Sequence, residues 1–167
     1  MSVLEKFKNV STFVFDVDGV LTDGKLLLME EGHFLRSMNI KDGFALQLAI
    51  KKNYQIFIIS GGNSSAVKSR LQRLGIKEVH LAVHNKWETL QQLVDKYGFA
   101  PENILYMGDD LPDLEVMKNC GLACAPADAC QEIKSIAHYV SHLPGGNGCV
   151  RDVIEKVLKL NQHWSPE

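Results

Sequence analysis

The sequence predicts a doubly wound α/β fold, a Rossmann-like parallel sheet whose two faces are covered by helices. Short apolar runs alternate with amphipathic stretches along the whole chain, which is the pattern of alternating strands and helices. The apolar runs are continuous, as in strands that are buried on both faces. Because the length of 167 residues suits one compact unit, we expect a single domain over residues 1–167.

The first strand is predicted over residues 12–15, because Thr-Phe-Val-Phe is β-branched and aromatic and a carboxylate follows it. A β-hairpin is expected next, since residues 25–29 and 33–38 flank the turn-forming sequence Glu30-Glu31-Gly32. We interpret residues 24–40 as a small hairpin insertion into the domain.

The remaining elements are predicted from apolar runs for strands and from capping residues for helix ends. Asp42 is expected to cap a helix that ends near Lys52, and Asn63 or Ser64 to begin one that Gly75 ends. Further strands are predicted at residues 55–59, 79–83, 103–107, 122–124 and 138–140. Further helices are predicted at residues 86–97, 114–118, 128–136 and 149–160.

Charge and hydropathy argue against several classes of function. Lys and Arg total 18 against 20 Asp and Glu, for a formal net charge of −2, so the chain lacks the basic excess that binds nucleic acid. No apolar run is long enough to cross a membrane, and residues 1–10 lack the apolar centre of a signal peptide. We therefore expect a cytoplasmic protein with no membrane partner, and its four cysteines as buried thiols.

Polar residues follow four of the predicted strands. In chain order they are Asp16, Asp18 and Gly19, then Ser60, Gly61 and Gly62, then Lys86 at the start of a helix, and finally Gly108, Asp109, Asp110 and Asp113. Ligands of doubly wound sheets bind outside the carboxyl ends of the strands. The spacing therefore predicts that these residues surround one site.

The chemistry of this set indicates a metal ion beside a phosphoryl group. Alternate residues of an extended segment point the same way, so the carboxylates of Asp16 and Asp18 are expected to face one spot. Close carboxylates repel each other and need a cation, and Mg²⁺ with oxygen ligands is the usual one beside phosphate. Ser60 as a hydroxyl donor and Lys86 as a cation would serve the phosphoryl oxygens.

Most of these residues have a structural alternative when each is considered alone. An aspartate after a strand, such as Asp109, is often a cap, a lysine at a helix start, such as Lys86, is usually solvated, and Ser60-Gly61-Gly62 is typical of a loop. Asp16 and Asp18 are harder to explain in this way, because two buried acids cost stability. Their combination with the rest, in this order, favours function.

Four segments carry a resemblance to a known family: Asp16-Val17-Asp18-Gly19-Val20-Leu21-Thr22-Asp23-Gly24, Ser60, Lys86, and Gly108-Asp109-Asp110-Leu111-Pro112-Asp113. They resemble the motifs of the haloacid dehalogenase-like phosphohydrolases, over nearly the whole chain. The extension Thr22-Asp23-Gly24 and the segment from Gly145 to Asp152 are similar to the small capless sugar-acid phosphatases of that superfamily. The resemblance implies an enzyme that hydrolyses a phosphate monoester with Mg²⁺.

The substrate that the resemblance implies is 3-deoxy-D-manno-octulosonate (KDO) 8-phosphate, hydrolysed in lipopolysaccharide precursor biosynthesis. The alternative is a nine-carbon 2-keto-3-deoxy sugar acid 9-phosphate, such as KDN or N-acylneuraminate 9-phosphate. Two other classes stay open, a receiver-like phospho-acceptor signalling module and a non-catalytic scaffold. Asp18 argues against the first, because a general base would shorten the life of a phosphoaspartate, and a scaffold would show no metal-dependent hydrolysis.

Carried over by position, the resemblance makes Asp16 the nucleophile that forms an aspartyl phosphate. Asp18 would protonate the leaving sugar oxygen and then deprotonate the hydrolytic water. Asp16, the backbone carbonyl of Asp18, and Asp109 would bind Mg²⁺.

Four further residues receive supporting roles from the resemblance. Ser60 would hydrogen-bond a phosphoryl oxygen, and Lys86 would neutralise the charge that spreads over those oxygens. Asp110 and Asp113 are expected behind the metal ligands, where they would orient the metal's water molecules or Lys86.

The resemblance also implies a site that is shared between subunits. The hairpin is too short to be a cap domain, and an open site admits water that weakens its electrostatics. A homotetramer is therefore expected. We interpret the apolar residues 25–29 as a subunit contact, with packing on their own domain as the alternative. Many members have an Arg or a Glu where this chain has Gly62, so other residues must select the sugar. The candidates are Gly61, Asn39, Asp42 and the basic residues Arg36, Lys41, Arg70, Arg73 and Arg151.

Overall fold

The computed structural model describes residues 1–165, and its eight strands form two sheets. In chain order the strands are β1 (Thr12–Phe15), β2 (Leu27–Leu28), β3 (Phe34–Leu35), β4 (Gln55–Ile59), β5 (Glu78–His80), β6 (Ile104–Met107), β7 (Leu122–Ala125) and β8 (Tyr139–Val140). Six of them form a parallel sheet in the order β5-β4-β1-β6-β7-β8, and β2 and β3 form an antiparallel hairpin. The predicted doubly wound α/β fold is confirmed.

Seven α-helices are present among residues 1–165. They are α1 (Val3–Asn9), α2 (Ile40–Lys51), α3 (Ser65–Arg73), α4 (Lys86–Tyr97), α5 (Leu114–Asn119), α6 (Gln131–Ile136) and α7 (Cys149–Leu160). None of the described helices is long and apolar enough to span a membrane. Short helical turns follow β1 and β6, at Val17–Leu21 and Leu111–Asp113.

The two faces of the sheet carry two separate apolar cores. Alternate residues of a strand point to opposite faces, so Phe13 and Phe15 join the core that α1, α2, α3 and α7 cover, whereas Val14 joins the core under α4, α5 and α6. All three are fully buried. The burial of every β1 residue explains why this strand reads as a continuous apolar run.

The strand order reverses between β1 and β6. From β1 the chain builds one half of the sheet through β4 and β5, and then crosses back to build the other half from β6. The carboxyl ends of β1 and β6 lie side by side, because Phe15 pairs with Met107 and the amide of Asp16 donates to the Met107 carbonyl at 3.1 Å. Such a reversal is where open α/β sheets bind ligands.

Several predicted boundaries were wrong, and each has a local cause. The α2 helix begins at Ile40 because Asn39 is its cap and accepts from the Lys41 amide at 2.8 Å, so the predicted cap, Asp42, lies inside the first turn. The β5 strand ends at His80, before the chain turns through Ala82 with a φ of 55°. The hairpin strands hold two residues each.

Three of the four cysteines are the buried thiols that we expected. Cys120, Cys124 and Cys149 are buried, and burial raises the pKa of each above its ordinary value. Cys130, at the N-cap position of α6, is only partly buried, and its side chain makes no capping hydrogen bond.

Candidate active site

Asp16 stands at the carboxyl end of β1, at the strand-order reversal. Its side chain is buried, with Oδ1 accepting from the Val17 amide at 2.6 Å and Oδ2 lying 2.8 Å from Nζ of Lys86. Burial raises the pKa of Asp16 to about 6, reinforced by the charge of Asp113 and opposed by Lys86. The carboxylate thus depends on neighbouring cations to stay ionised.

The loop after β1 turns so tightly that it needs a glycine. Gly19 has a φ of 86°, and a Cβ at this position would lie 1.9 Å from Oδ2 of Asp109. The hydroxyl of Thr22 is buried and accepts from the amides of Gly19 and Gly24 at 3.3 and 3.2 Å. The motif residues after Asp16 therefore shape a loop that brings the backbone against Asp109.

Lys86 lies between two carboxylates. It is the first residue of α4 and is 5% exposed, with Nζ 2.8 Å from Asp16 and 2.7 Å from Asp113. Burial lowers the pKa of Lys86, but Asp113 and Asp16 outweigh that effect and raise it above its ordinary value. Lys86 is therefore charged at neutral pH, and the solvated alternative is wrong for this lysine.

Asp113 is fully buried and connects three parts of the site. Its Oδ1 accepts from Lys86 at 2.7 Å and from the hydroxyl of Tyr106 at 2.5 Å, and its Oδ2 accepts from the Asp109 amide at 3.1 Å. These contacts fit the expectation that Asp113 orients Lys86. Sequence reasoning missed Tyr106, because an apolar run gives no sign that one of its members is bonded to a buried carboxylate.

Asp109 completes a cluster that could hold a cation. Single oxygen atoms of Asp16, Asp109 and Asp113 lie within 4.8 Å of one another. Burial, and then the charges of Asp16 and Asp113, raise the pKa of Asp109 to about 7. Three carboxylates compete here for one ammonium, so the donor set fits a hard divalent cation with oxygen ligands.

Asp18 faces a different partner from Asp16. Its carboxylate is paired in bidentate fashion with Arg36, the residue that follows β3, at 2.7 Å from Nε to Oδ1 and 3.1 Å from Nη2 to Oδ2. Asp18 lies outside the carboxylate cluster, so no side-chain oxygen of Asp18 adds to the candidate cation site. The resemblance implies that Asp18 binds the metal through its backbone carbonyl, which does not require the side chain to join the cluster.

Ser60 follows β4, which pairs directly with β1. It is buried, its hydroxyl accepts from the Gly62 amide at 3.3 Å, and its backbone donates to the His80 carbonyl at 2.9 Å. Gly61 is exposed at the same edge. The structure therefore brings Ser60 and Gly61 to the carboxyl edge of the sheet, as the spacing predicts.

Asp110 and Asp42 lie in positions that give no support to their expected roles. Asp110 is exposed and caps the turn Leu111–Asp113 through the Leu111 amide at 2.8 Å. Asp42 is buried and accepts from the Arg151 amide at 2.8 Å, so it caps α7, whose own cap residue, Gly148, has no side chain. Burial raises the pKa of Asp42 to about 6.

The other substrate candidates are spread around the site. Asn39 caps α2, and Arg151 packs over the rings of Phe44 and Trp164 while Nε pairs with Glu155 at 3.2 Å. Arg70 is exposed on α3 and lines a cavity of about 250 Å³ together with Arg36. Of these candidates, only Arg36 contacts a predicted catalytic residue.

Comparison with known proteins gives one consistent result. The family model for haloacid dehalogenase-like hydrolases matches residues 78–151. The chain is 38% identical to the 3-deoxy-D-manno-octulosonate 8-phosphate phosphatase KdsC of Salmonella typhi over 156 residues, which cover 93% of this chain and 83% of that protein. The corresponding protein of Escherichia coli K12 is 36% identical over the same length.

Solved structures agree with the sequence comparison. The 3-deoxy-D-manno-octulosonate 8-phosphate phosphatase of Yersinia pestis superposes with a TM-score of 0.94 at 32% identity, covering 96% of this chain and 87% of that one. The enzyme of Moraxella catarrhalis, solved with magnesium, phosphate and KDO, gives 0.92 at 32% identity, covering 95% and 91%. The chain belongs to the haloacid dehalogenase-like hydrolase family, among the relatives named 3-deoxy-D-manno-octulosonate 8-phosphate phosphatase.

Proposed function

We propose that the protein is a Mg²⁺-dependent phosphatase that hydrolyses KDO 8-phosphate to KDO and phosphate. The observation that carries the proposal is the contact of Asp16 with Lys86, at 2.8 Å, beside Asp109 at the strand-order reversal. In this proposal Asp16 is the nucleophile, Lys86 is the cation beside it and Asp109 is a metal ligand, all at one edge of the sheet. The relatives carry that enzyme name at up to 38% identity, and they do not favour the nine-carbon or receiver-like alternatives.

The reaction proceeds in two displacements at phosphorus. A carboxylate oxygen of Asp16 bonds to phosphorus while the bond from phosphorus to the sugar oxygen breaks and Asp18 gives that oxygen its proton. A water molecule then bonds to phosphorus, the bond to Asp16 breaks, and the water's proton returns to Asp18. Phosphate leaves and both aspartates regain their starting forms.

Lys86 and Asp113 keep the nucleophile, Asp16, ionised and in position. The buried ammonium of Lys86 keeps Asp16 ionised and offsets the repulsion between a carboxylate and a phosphate dianion. Asp113 fixes the Lys86 ammonium from the other side, at 2.7 Å. Ser60, at the end of the neighbouring strand, donates its hydroxyl to a phosphoryl oxygen in this proposal.

Asp16, the backbone carbonyl of Asp18, and Asp109 are the groups proposed to hold Mg²⁺. Support comes from the close carboxylates and from the raised pKa values of Asp16 and Asp109, which a bound cation would lower. When bound, the ion would neutralise charge on the transferring phosphoryl group. A related structure from Moraxella catarrhalis holds magnesium and one from Haemophilus influenzae holds cobalt.

We further propose that residues 1–167 form one catalytic domain that works as a homotetramer. The apolar residues of the hairpin are exposed, with Leu27 at 64%, Leu28 at 66% and Phe34 at 57%. A neighbouring subunit would bury this surface and at the same time cover a site that has no cap of its own. Residues 24–40, around β2 and β3, are the insertion that supplies the contact.

The cytoplasm is the proposed location, in the supply of KDO for lipopolysaccharide precursors. The four cysteines are free thiols, which agrees with a reducing compartment. The assignment to this biosynthesis follows from the substrate of the named relatives.

The proposal is tested by measuring phosphate release from KDO 8-phosphate by the purified protein, with MgCl₂ and after chelation with EDTA. We expect turnover that is lost with EDTA and restored by added Mg²⁺. p-Nitrophenyl phosphate serves as a second substrate, so that a protein with the chemistry but another natural substrate is recognised. A metal-independent rate, or no hydrolysis of either compound, would rule the proposal out.

A further inference from the structure

The pair formed by Arg36 and Asp18 has a consequence for catalysis. Both carboxylate oxygens of Asp18 accept from one guanidinium, at 2.7 and 3.1 Å, and the Arg36 side chain is only 9% exposed. A group that exchanges protons with a leaving oxygen must offer one of its own oxygens to that atom. The Arg36–Asp18 pair must therefore open, at least in part, before Asp18 can act.

Gly62 lies directly against the pair. A Cβ at this position would lie 2.7 Å from Oδ2 of Asp18 and 3.2 Å from Nη2 of Arg36. A side chain at position 62 would have to displace the Asp18 carboxylate, which occupies the space beside it, and would press on the Arg36 guanidinium. The absence of a side chain from the loop after β4 and the presence of an arginine from the hairpin are thus two parts of one arrangement.

Arg36 also borders a cavity next to the hairpin. A cavity of about 250 Å³ lies between the hairpin and α3, and Arg36 and Arg70 both line it. The Nη1 group of Arg36 makes only a long contact, 3.5 Å, with the Phe34 carbonyl. Because a guanidinium has five N–H donors, Arg36 can donate to a further acceptor. An anionic group in this cavity would meet two positive charges.

We propose that Arg36 is a substrate-responsive latch and the residue that selects sugar acids over neutral sugars. It holds the ionised Asp18 carboxylate while the site is empty. When the substrate binds, Arg36 transfers to the carboxylate of the sugar acid, and the freed Asp18 takes up a proton from solvent water, which it then passes to the leaving oxygen. One carboxylate replaces another on the same guanidinium, so the exchange conserves the bidentate hydrogen bonds. A neutral sugar phosphate offers no such replacement and leaves Asp18 held.

This inference rests on the proposed function, and Arg36→Gln in the Mg²⁺-loaded enzyme tests it. We expect kcat/KM for KDO 8-phosphate to fall by about 10- to 100-fold, as for loss of a charge-assisted hydrogen bond. The kcat for a neutral hexose 6-phosphate should rise, because Asp18 is then free. Lys51→Gln, which removes an exposed positive charge from the end of α2, is the control for net charge.

Two further variants separate the latch from a structural role. Arg36→Lys keeps the charge but not the bidentate geometry, so it should recover part of the preference for KDO 8-phosphate. Gly62→Ala keeps Arg36 but its methyl group would shift the Asp18 carboxylate and weaken the pair, so it should raise kcat for the neutral phosphate while KDO 8-phosphate remains the better substrate. Circular dichroism verifies that each variant is folded.

Failure of the latch and failure of the proposed function would give different results. Equal losses on both substrates in Arg36→Gln, or an unchanged rate with KDO 8-phosphate, would overturn the latch and leave the proposed function intact. Failure of the proposed function would appear in the unaltered enzyme, as absence of KDO 8-phosphate hydrolysis. Crystals with Mg²⁺ and phosphate give a direct view: Arg36 should contact Asp18 without KDO and the KDO carboxylate with it, and an unmoved Arg36 would contradict the latch.

Discussion

The nucleophile is the residue on which the mechanism depends most. Asp16→Asn keeps the size and the hydrogen-bonding shape of the side chain but removes its nucleophilic charge. We expect kcat to fall by about 10⁴-fold or more, as in other enzymes that lose their nucleophile, with an unchanged circular dichroism spectrum. Asp95→Asn, an exposed position on α4, is the matched control. Retained turnover in Asp16→Asn would refute the aspartyl-phosphate mechanism.

Tyr106 tests the support behind Lys86. Tyr106→Phe removes the 2.5 Å hydrogen bond to the buried Asp113 carboxylate, which is expected to cost about 1.5–3 kcal/mol of unfolding free energy. We also expect kcat to fall by about tenfold, since Asp113 then holds Lys86 less firmly. Tyr97→Phe removes a hydroxyl that contacts Glu78 away from the site. It should lower the unfolding free energy and kcat less than Tyr106→Phe does. Equal effects of the two variants would show that Tyr106 has no special connection with catalysis.

Part of the site could be predicted from the sequence residue by residue. Asp16, Ser60, Lys86 and Asp109 could be brought to one edge, because the carboxyl ends of parallel strands meet there. Asp113 could be expected nearby, but not its three simultaneous contacts. The bond between Arg36 and Asp18 could not be predicted, because it joins residues 18 positions apart through a hairpin whose orientation no local pattern specifies.

The hairpin is the element through which the subunits of the proposed tetramer contact one another. Leu28→Glu places a charge on an exposed apolar strand without disturbing a buried contact. We expect the tetramer to dissociate, as measured by light scattering, and kcat to fall because the site opens to water. Leu160→Glu, which is 38% exposed at the end of α7, is the control and should remain tetrameric. A fully active monomer would contradict the shared site.

Helix ends explain which elements were predictable. The α4 and α7 helices were predicted with their observed bounds, Lys86–Tyr97 and Cys149–Leu160, because strong apolar periodicity and Gly98 mark them. The α1 helix was not predicted, although Ser2 and Glu5 form a capping box that could have revealed it. Asp42 was misassigned because its carboxylate caps α7, a distant helix.

The whole molecule should respond to pH through its buried carboxylates. The pKa values of Asp16, Asp42 and Asp109 are raised to about 6, 6 and 7, from 3.8. Between pH values of about 4 and 7 the folded state therefore holds more protons than the unfolded state. The free energy of unfolding falls as the pH rises through this range. Glu78, whose pKa is lowered to about 2, acts oppositely but only at lower pH.

Melting temperatures of the metal-free protein check this response. We expect a decrease of about 5 °C or more between pH 5 and pH 8, and a stabilisation by Mg²⁺ that is larger at pH 8, where the carboxylates are ionised and bind the cation. Asp42→Asn should reduce the slope, because it removes one of the titrating groups and keeps the oxygen that caps α7. A melting temperature that rises over this range, or Mg²⁺ stabilisation that is larger at pH 5, would contradict the assignment of these charges.

The substrate preference of the enzyme decides between these functions, and it is measured as kcat/KM, with Mg²⁺, for KDO 8-phosphate beside KDN 9-phosphate, N-acylneuraminate 9-phosphate and a neutral hexose 6-phosphate. We expect KDO 8-phosphate to be preferred over every other compound by about tenfold or more, a difference of about 1.4 kcal/mol in transition-state binding. A higher kcat/KM for either nine-carbon acid, or equal values for all four, would contradict this expectation.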